Sequence, residues 1–456
     1  MKSLRAWAVL GSATYTVVFH VIYTTVIAPE FAYDGSFYAP VSEFAVWVAG
    51  AAAILPSLWL PERLLRPSQV ALWLIYLVGY IPASLVMYYV QGRDLAELWP
   101  FTFVLVASMA VLGAMDQLPR TYWVVPLRST FESFSTFLVI AALCALGYIA
   151  VTIGINFQLP NILEVADTRA SFADAVQTSG TALAYIVVWS ANVVAPLLMA
   201  IGLRRRQLSL AALGVAVELV IYGIAAFKTA LFSGVLVAGL VVLLSRRGRP
   251  SGAGLAWITS SLIIATAVFD RLNGSIVVTS IFVRRLFEVP ALVTSRYFEY
   301  FSSHPTYNLA HSFLRTWFRP PSQLTPPQLI GSVYYGPDTS ANGGLWADGF
   351  ANFGFIGALA FAAILGCVFW LLDVVAEGAD LSVTGSIAGL FSVTLTNSGL
   401  FTTLVSHGLG VAIIVLAVMP RREARAQRTA RDATADLPSG HVAQATGSIN
   451  PTLRGP

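Results

Sequence analysis

Side chains that suit phosphate chemistry gather in the second half of the chain. Arg284, Arg285, Arg296 and Arg315 follow one another there. A guanidinium binds phosphate oxygens through paired donors and stays charged at any useful pH. Because Arg284 and Glu288 are spaced i,i+4, Arg284 is also placed for a salt bridge within one helix. Arg285 and Arg296 are therefore the preferred phosphate ligands.

Lys228 is the only lysine besides Lys2, and it lies in AAFKTALF between two short apolar runs. Broken membrane segments of this kind often direct helix ends towards a polar site. Lys228 is therefore a further candidate phosphate ligand. The alternative is that its ammonium group reaches the lipid headgroups without a chemical role.

The stretch SANGGLWADGFANFGFIGALAF joins a polar turn directly to an apolar run. Backbone amides around Asn342, Gly343 and Gly344 are predicted to form an anion-binding nest. Asp348 is suited to the N-cap of the apolar helix 350–372. A carboxylate there is equally suited to orienting or deprotonating an acceptor hydroxyl. Both interpretations of Asp348 stay open.

His304 and His311 are the histidines next to the arginine series, and either suits a general base or a diphosphate ligand. A lone loop histidine is more often a surface residue. His20 and Glu218 fall inside apolar runs, where an ionisable group is a functional candidate by default. A hydrogen-bonded structural role fits these two equally well.

The elements that must position these residues are membrane helices. The chain has 456 residues, of which 57% are hydrophobic and only 11% are charged. Soluble domains carry about 25% charged residues, so the composition predicts an all-α polytopic integral membrane protein. Apolar runs near 6–28, 42–60, 69–90, 98–115, 134–154, 180–203, 208–244 (two spans), 255–269, 350–372 and 382–419 (two spans) give about 12 transmembrane helices.

The distribution of arginine and lysine predicts the orientation. Most basic residues fall in alternate loops and in the tail, which places both termini in the cytoplasm. The segment 373–381 opposes this bias, since it carries three acidic residues and no cation. Residues 270–349 become one large periplasmic loop, and 1–419 form the membrane domain. The polar tail 420–456 is predicted to be a disordered cytoplasmic segment.

Residues 275–301 are as apolar as a membrane span but carry five charges. Pro290 is predicted to divide them into two helices that lie at the membrane interface or dip part-way into the protein. Cys144 and Cys367 are expected to be small buried hydrophobic residues. No sequence pattern demands a metal or another cofactor, and none indicates nucleic-acid binding.

Three stretches resemble the bacterial oligosaccharide repeat-unit polymerases, the Wzy-type O-antigen polymerase family. They are AAFKTALF, RRLFEVPALVTSRYFEYFSSHP and SANGGLWADGFANFGFIG, and together they fall within residues 225–357. The number of spans and the late periplasmic loop are also similar. The resemblance covers the remainder of the chain only in hydropathy.

The resemblance implies a glycosyltransferase on the periplasmic face of the bacterial inner membrane. Its substrates would be a donor and an acceptor glycan linked to undecaprenyl diphosphate, with a flippase and a chain-length regulator as further partners. Alternatives are an O-antigen ligase, another transferase that uses polyprenyl-linked sugars, and a lipid-linked glycan flippase or transporter. Discontinuous spans, Glu218 and His20 favour the transporter, whereas the lack of symmetry between the two halves of the chain opposes it.

Overall fold

The computed structural model describes residues 2–120, 129–154, 166–246, 250–312 and 314–421. The predicted disordered tail therefore lies, from residue 422 onward, outside the described residues. Every regular element within the described ranges is helical, and one isolated bridge joins Arg63 to Ser251. The prediction of an all-α membrane protein is confirmed at this level.

Sixteen helical segments are numbered here in chain order. They are α1 (Lys2–Ile22, continued by Tyr23–Ile27, Ala28–Phe31 and Ala32–Asp34), α2 (Glu43–Ile54), α3 (Pro67–Val90), α4 (Leu95–Asp116), α5 (Phe131–Ile153), α6 (Ala166–Ser179), α7 (Thr181–Arg205), α8 (Leu208–Ala225), α9 (Lys228–Leu244), α10 (Gly252–Asn273), α11 (277–301), α12 (Pro326–Tyr335), α13 (Leu345–Val375), α14 (Leu381–Thr394), α15 (Leu400–Val405) and α16 (Leu409–Ala417).

Eight helices of the described chain are long and apolar enough to cross a membrane, and three shorter apolar helices accompany them. The predicted break between α8 and α9 is confirmed, because Ala226 adopts a left-handed φ of 51° between them. The last apolar stretch differs from the prediction. It forms α14, α15 and α16 rather than two full spans.

Helix α3 lies at the centre of the bundle and is buried along its whole length. Its tyrosine hydroxyls are paired, as a polar group inside a bundle must be. Tyr76 donates to the Ala53 carbonyl at 2.9 Å, and Tyr80 donates to the Ala52 carbonyl at 2.8 Å. These bonds hold α2 against α3.

Four prolines shape the long helices. Each of the four described π-helical segments directly precedes an α-helical segment with proline at its second position: Pro29, Pro82, Pro196 or Pro290. Proline donates no N–H, and its ring clashes with the carbonyl four residues earlier. Local widening of the helix relieves that clash without ending the helix.

The two ends of the bundle carry different ion pairs. We call the end with Asp34, Gln91 and Arg296 the outer end, and the end with Arg66 and Asp373 the inner end, following the predicted orientation. The acidic segment 373–381, which opposed the charge bias, forms ion pairs with arginines at the inner end. Asp373 pairs with Arg120 at 2.9 Å and Arg66 at 3.7 Å, and Asp380 pairs with Arg204 at 2.8 Å.

The expectation for the two cysteines is wrong. Cys144 and Cys367 are exposed on the surfaces of α5 and α13. A sequence run that is apolar on all sides does not distinguish a side chain that faces lipid from one that faces the bundle.

Candidate functional site

Helix α11 organises the outer end, because it packs against α3, α10 and α13. The prediction that Pro290 divides this segment is wrong, since helical structure is continuous from Val277 to Phe301. The π-helical turns Ser280–Glu288 accommodate the proline. The helix is also buried more deeply than an interfacial anchor, with Glu288 fully buried and Tyr297 nearly so.

Arg284 is held by groups of the protein itself. It forms an ion pair with Asp34 and lies 4.4 Å from the centre of the Phe31 ring. Glu288 lies 4.0 Å from the Arg284 Nε and accepts a hydrogen bond from Ser36 at 2.7 Å. Burial raises the pKa of Glu288 to about 7. Arg284 therefore joins α11 to the end of α1 through Asp34. Its contact with Glu288 is the i,i+4 pair within one helix that the sequence predicted.

Arg296 is fixed in a more open setting. Its Nη1 donates to Glu299 at 2.8 Å, and its guanidinium lies 5.0 Å from the Tyr334 ring and 6.0 Å from the Phe37 ring. The side chain keeps 11% of its surface exposed. A guanidinium has five N–H donors, and Arg296 uses donors on Glu299 and the Tyr335 hydroxyl, so others remain for a second anion. Arg296 is thus a pre-positioned cation.

Two tyrosines beside Arg296 were not identified from the sequence. Tyr334 and Tyr335 end α12, and burial raises the pKa of each to about 12. Their hydroxyls therefore stay protonated. The Tyr334 hydroxyl donates to Glu299, whereas the Tyr335 hydroxyl accepts from Arg296 and keeps its own proton for a phosphate or sugar oxygen. The only signal in the sequence was the aromatic pair after a short apolar run.

Arg285 is exposed, and no hydrogen bond or ion pair involves it within the described ranges. The Phe282 ring, three residues earlier, lies 5.7 Å from the Phe232 ring of α9. Helix α11 therefore approaches α9 close to its beginning at Lys228. The side chain of Lys228 itself lies outside the described residues, so its candidate role stays a prediction.

Asp348 does not cap its own helix. Helix α13 begins at Leu345 with Gly344 as its N-cap, so Asp348 lies one turn inside. Its Oδ2 instead accepts a hydrogen bond from the backbone N–H of Leu400 at 3.2 Å, and its Oδ1 accepts from the Asn352 side chain at 3.0 Å. The predicted cap of the 350–372 helix is thus wrong. Asp348 satisfies the first amide of α15, whose N-terminus would otherwise be unpaired inside the bundle.

Asn352 extends this connection to the outer loop. Helix α13 is kinked at Phe353 and Gly354, where Gly354 has a left-handed φ of 62°. The kink frees the carbonyls of two residues just before it. These carbonyls accept the amides of Tyr307 and Asn308 at 2.9 and 3.0 Å, and the Asn352 Oδ1 accepts the Leu309 amide at 2.8 Å. Asp348 and Asn352 therefore join three segments that are distant in sequence.

The two histidines differ in setting. His311 follows the docked residues, its ring lies 5.7 Å from that of Tyr307, and its Nδ1 is buried with no partner among the described groups. Burial lowers the pKa of His311, which keeps its ring neutral and able to accept a proton. His304 instead stacks on Tyr300 at 3.9 Å in an exposed position. The fold therefore brings His311, but not His304, to the segment that docks on Asn352.

The predicted anion nest is not formed. A nest needs alternating right- and left-handed residues, yet neither Gly343 nor Gly344 has a positive φ. The two glycines permit close packing, since a side chain at Gly343 would meet the Tyr297 ring and one at Gly344 would meet the Thr396 carbonyl. Asn342 is exposed beside them.

Tyr297 connects the arginine region with the carboxylate region. Its hydroxyl donates to the Ala341 carbonyl at 3.0 Å, and the residue follows Arg296 directly. Burial, with the nearby Asp348 charge as a second cause, raises the pKa of Tyr297. We call Arg296, Tyr297, Asp348 and Asn352 the outer-end site. Arg315 is exposed and is not part of this site.

A groove of about 410 Å³ opens at the kink of α13, lined by Thr306, Asn308, Phe353, Gly354, Ile356, Gly357 and Ala360. Its helical wall is apolar, and Ile356 is 78% exposed. Its rim carries the polar Thr306 and Asn308. A groove with one apolar wall and one polar rim suits an amphiphile. Gly357 packs against Gly349 of the same helix, so it serves the kink rather than contact with a neighbouring helix.

Comparison with known proteins identifies no relative of this chain. No family model matches the chain, and neither a curated protein nor a solved structure matches it significantly. Within the described ranges, no three His, Cys, Asp or Glu side chains are grouped to hold a metal ion. The function proposed below therefore rests on the geometry of the site and on the sequence resemblance.

Proposed function

We propose that the protein is a membrane glycosyltransferase that joins repeat units of a lipid-linked oligosaccharide. The donor and the acceptor would both be linked to undecaprenyl diphosphate, as the resemblance to the Wzy-type polymerases implies. The supporting observation is the outer-end site. This site contains a fixed arginine, Arg296, and a carboxylate, Asp348, which Tyr297 connects. The α13 groove opens next to Asn352, the hydrogen-bond partner of Asp348.

The cations would act on the leaving group. When the glycosidic bond to the donor lipid breaks, the diphosphate keeps the electron pair and its charge increases. Fixed donors in a water-poor setting stabilise such charge without reorganisation. Arg296 and the exposed Arg285 are assigned this role, with Lys228 as a third candidate. Arg284 is assigned to holding α11 in place, because Asp34 and Glu288 already occupy it.

Asp348 would act on the acceptor. The hydroxyl that attacks the donor sugar must lose its proton, and a carboxylate within hydrogen-bond reach can accept it. Each Asp348 oxygen accepts one protein hydrogen bond, which leaves lone pairs for a substrate hydroxyl. His311 is the alternative base, since its neutral ring already lies in the docked segment.

The α13 groove would hold one of the two lipid-linked substrates. An isoprenoid chain fits the exposed side at Ile356, and the polar headgroup then lies towards Thr306 and Asn308. In this proposal the outer end faces the periplasm, the protein resides in the bacterial inner membrane, and both termini are cytoplasmic. Activity-reporter fusions at the C-terminus and within 302–325 test that orientation.

Substitutions of single arginines test the site. Arg296→Ala and Arg285→Ala should each reduce polymer yield at least tenfold at unchanged protein level, because each removes charge stabilisation from the departing diphosphate. Arg319→Ala is the matched control, since Arg319 is exposed and lies outside the site. Normal polymer from both site variants would disprove the phosphate assignment.

A transporter of lipid-linked glycans is the second candidate. The observation in its favour is the discontinuity between α14 and α15, where helix ends meet inside the bundle beside Asp348. A transporter would move its substrate across the membrane without forming a glycosidic bond. An O-antigen ligase would form the bond, but to a different acceptor lipid.

A further inference from the structure

Glu218 lies inside the membrane domain, away from the outer-end site. It is in the middle of α8, a helix of spanning length, and only 4% of its surface is exposed. Keeping a charged side chain at the centre of a membrane helix costs about 2.5–3.5 kcal/mol on insertion scales. A buried carboxyl therefore needs a cation, several N–H donors or a proton.

The contacts of Ser233 favour the third of these possibilities, a proton bound to Glu218. The Ser233 Oγ lies 2.8 Å from the Glu218 Oε1 and 2.7 Å from the Ala230 carbonyl oxygen. A serine hydroxyl carries one proton, and a carbonyl oxygen carries none. If Glu218 is ionised, the single Ser233 proton must be shared between the Glu218 and Ala230 oxygens in a three-centre contact. If Glu218 is protonated, it can donate to Ser233 while Ser233 donates to Ala230, and both contacts become full hydrogen bonds.

Among the described residues, the second carboxyl oxygen has no hydrogen-bond donor that would stabilise a negative charge. A side chain at Gly234 would lie 2.5 Å from the Glu218 Oε2, and the Met199 methyl is 3.1 Å from the same point. The carboxyl group therefore packs against the backbone of α9 and a thioether. A thioether is at best a weak acceptor, so this surrounding favours the neutral acid.

The helices that pack against α8 supply no ion-pair partner for Glu218 within the described residues. Their charged groups are engaged elsewhere or exposed. Arg204 of α7 pairs with Asp380, Arg205 lies over the Phe131 ring, and Arg169 of α6 donates to the Ala226 carbonyl. The remaining titratable groups of these helices are Glu132, Cys144 and Tyr148 of α5 and Asp174 of α6, all exposed, and Tyr185 of α7 beside Trp189. Two more, Asp167 of α6 and Lys228, which begins α9 five residues before Ser233, have side chains outside the described residues.

We propose that Glu218 is a proton-binding site of the membrane domain, occupied at neutral pH, with Ser233 as the acceptor of its hydrogen bond. The proposal is independent of the transfer reaction assigned to the outer end. It makes α8 and α9 a helix pair whose contact depends on one bound proton.

Infrared difference spectroscopy in lipid tests the proposal directly. The wild-type spectrum minus that of Glu218→Gln at pH 7 should contain the carbonyl band of a protonated carboxylic acid, and the band should shift in D₂O. Glu218→Gln should fold, because its amide N–H can replace the acid proton as donor to Ser233. If the difference shows carboxylate bands instead, Glu218 is ionised and the proposal is wrong.

Two comparisons make the result specific. Glu62→Gln is the matched control, because Glu62 pairs with Arg5 at 3.2 Å near the inner surface and should show carboxylate bands. Ser233→Ala should move the carboxylic band by removing its acceptor, and an unmoved band would refute the assigned hydrogen bond. Labelling of Glu218 by dicyclohexylcarbodiimide would support the same conclusion. In that addition the acid proton moves to a reagent nitrogen, the carboxyl oxygen bonds to the central carbon, and nothing leaves.

Discussion

Replacing Asp348 with asparagine should destabilise the protein by about 2 kcal/mol. The carboxylate accepts one hydrogen bond from Leu400 and one from Asn352, on different oxygens. An amide offers one acceptor, so its NH₂ group must face the other donor. Hydrogen bonds to a charged group contribute about 1.5–3 kcal/mol, and loss of an N-cap costs about 0.5–2 kcal/mol. Asparagine thus retains only part of the structural role.

Exchanging the two residues separates structure from chemistry. In the double variant Asp348→Asn with Asn352→Asp, the new amide at position 348 can accept from Leu400 and donate to the new carboxylate. That carboxylate can also accept from Leu309, as Asn352 does now at 2.8 Å. The exchange therefore keeps these three connections and moves the charge by one helical turn, and it loses only the bond that the Asn352 amide donates to the Asp348 backbone carbonyl at 2.8 Å.

Thermal unfolding in detergent and polymer formation in lipid should be measured on all three proteins. We expect the single variant to be less stable and inactive, and the exchanged variant to regain stability but stay inactive. Recovery of activity by the exchange would show that Asp348 is only structural. A single variant as stable as the wild type would refute the hydrogen-bond reasoning itself.

The remaining predictions concern the charged groups at the two ends of the bundle. Asp373→Ala should lower the free energy of unfolding by about 1.5–3 kcal/mol, because it leaves Asp116 as the remaining partner of Arg66 and Arg120 and removes an acceptor of Ser68. Glu62→Ala at the same end should cost less than about 1 kcal/mol, and equal thermal shifts would contradict this contrast. Glu288 binds its proton more tightly in the folded protein, so stability should fall by up to about 3 kcal/mol as pH rises from 4.5 to about 7. Glu288→Gln should flatten that part of the stability–pH curve, and an unchanged curve would refute the raised pKa.

Much of the helical framework could be predicted from the sequence, because a spanning segment needs a long apolar run. The predicted run 98–115 corresponds to Leu95–Asp116, and 69–90 corresponds to Pro67–Val90. The stretch 382–419 could not be divided correctly. Its short helices are made possible by Asp348 and by the close approach of Gly344, neither of which belongs to that stretch.

Only part of the candidate site could be predicted from the sequence, because its residues also contact segments that are distant in the chain. Capping rules are local, so they assign Asp348 to the helix that follows it. The amide it actually serves, that of Leu400, lies 52 residues away. The i,i+4 spacing to Glu288 already set Arg284 apart from Arg296, but its second partner, Asp34 of α1, could not be predicted from that spacing. Only the folded chain shows which cation keeps free donors.

The central claim is that this protein forms glycosidic bonds between lipid-linked repeat units. The direct measurement uses the purified protein in lipid with one undecaprenyl-diphosphate-linked repeat unit as both donor and acceptor. We predict longer glycans together with released undecaprenyl diphosphate, and neither product from Arg296→Ala. Substrate that crosses the membrane with no new glycosidic bond would contradict the claim and favour the transporter.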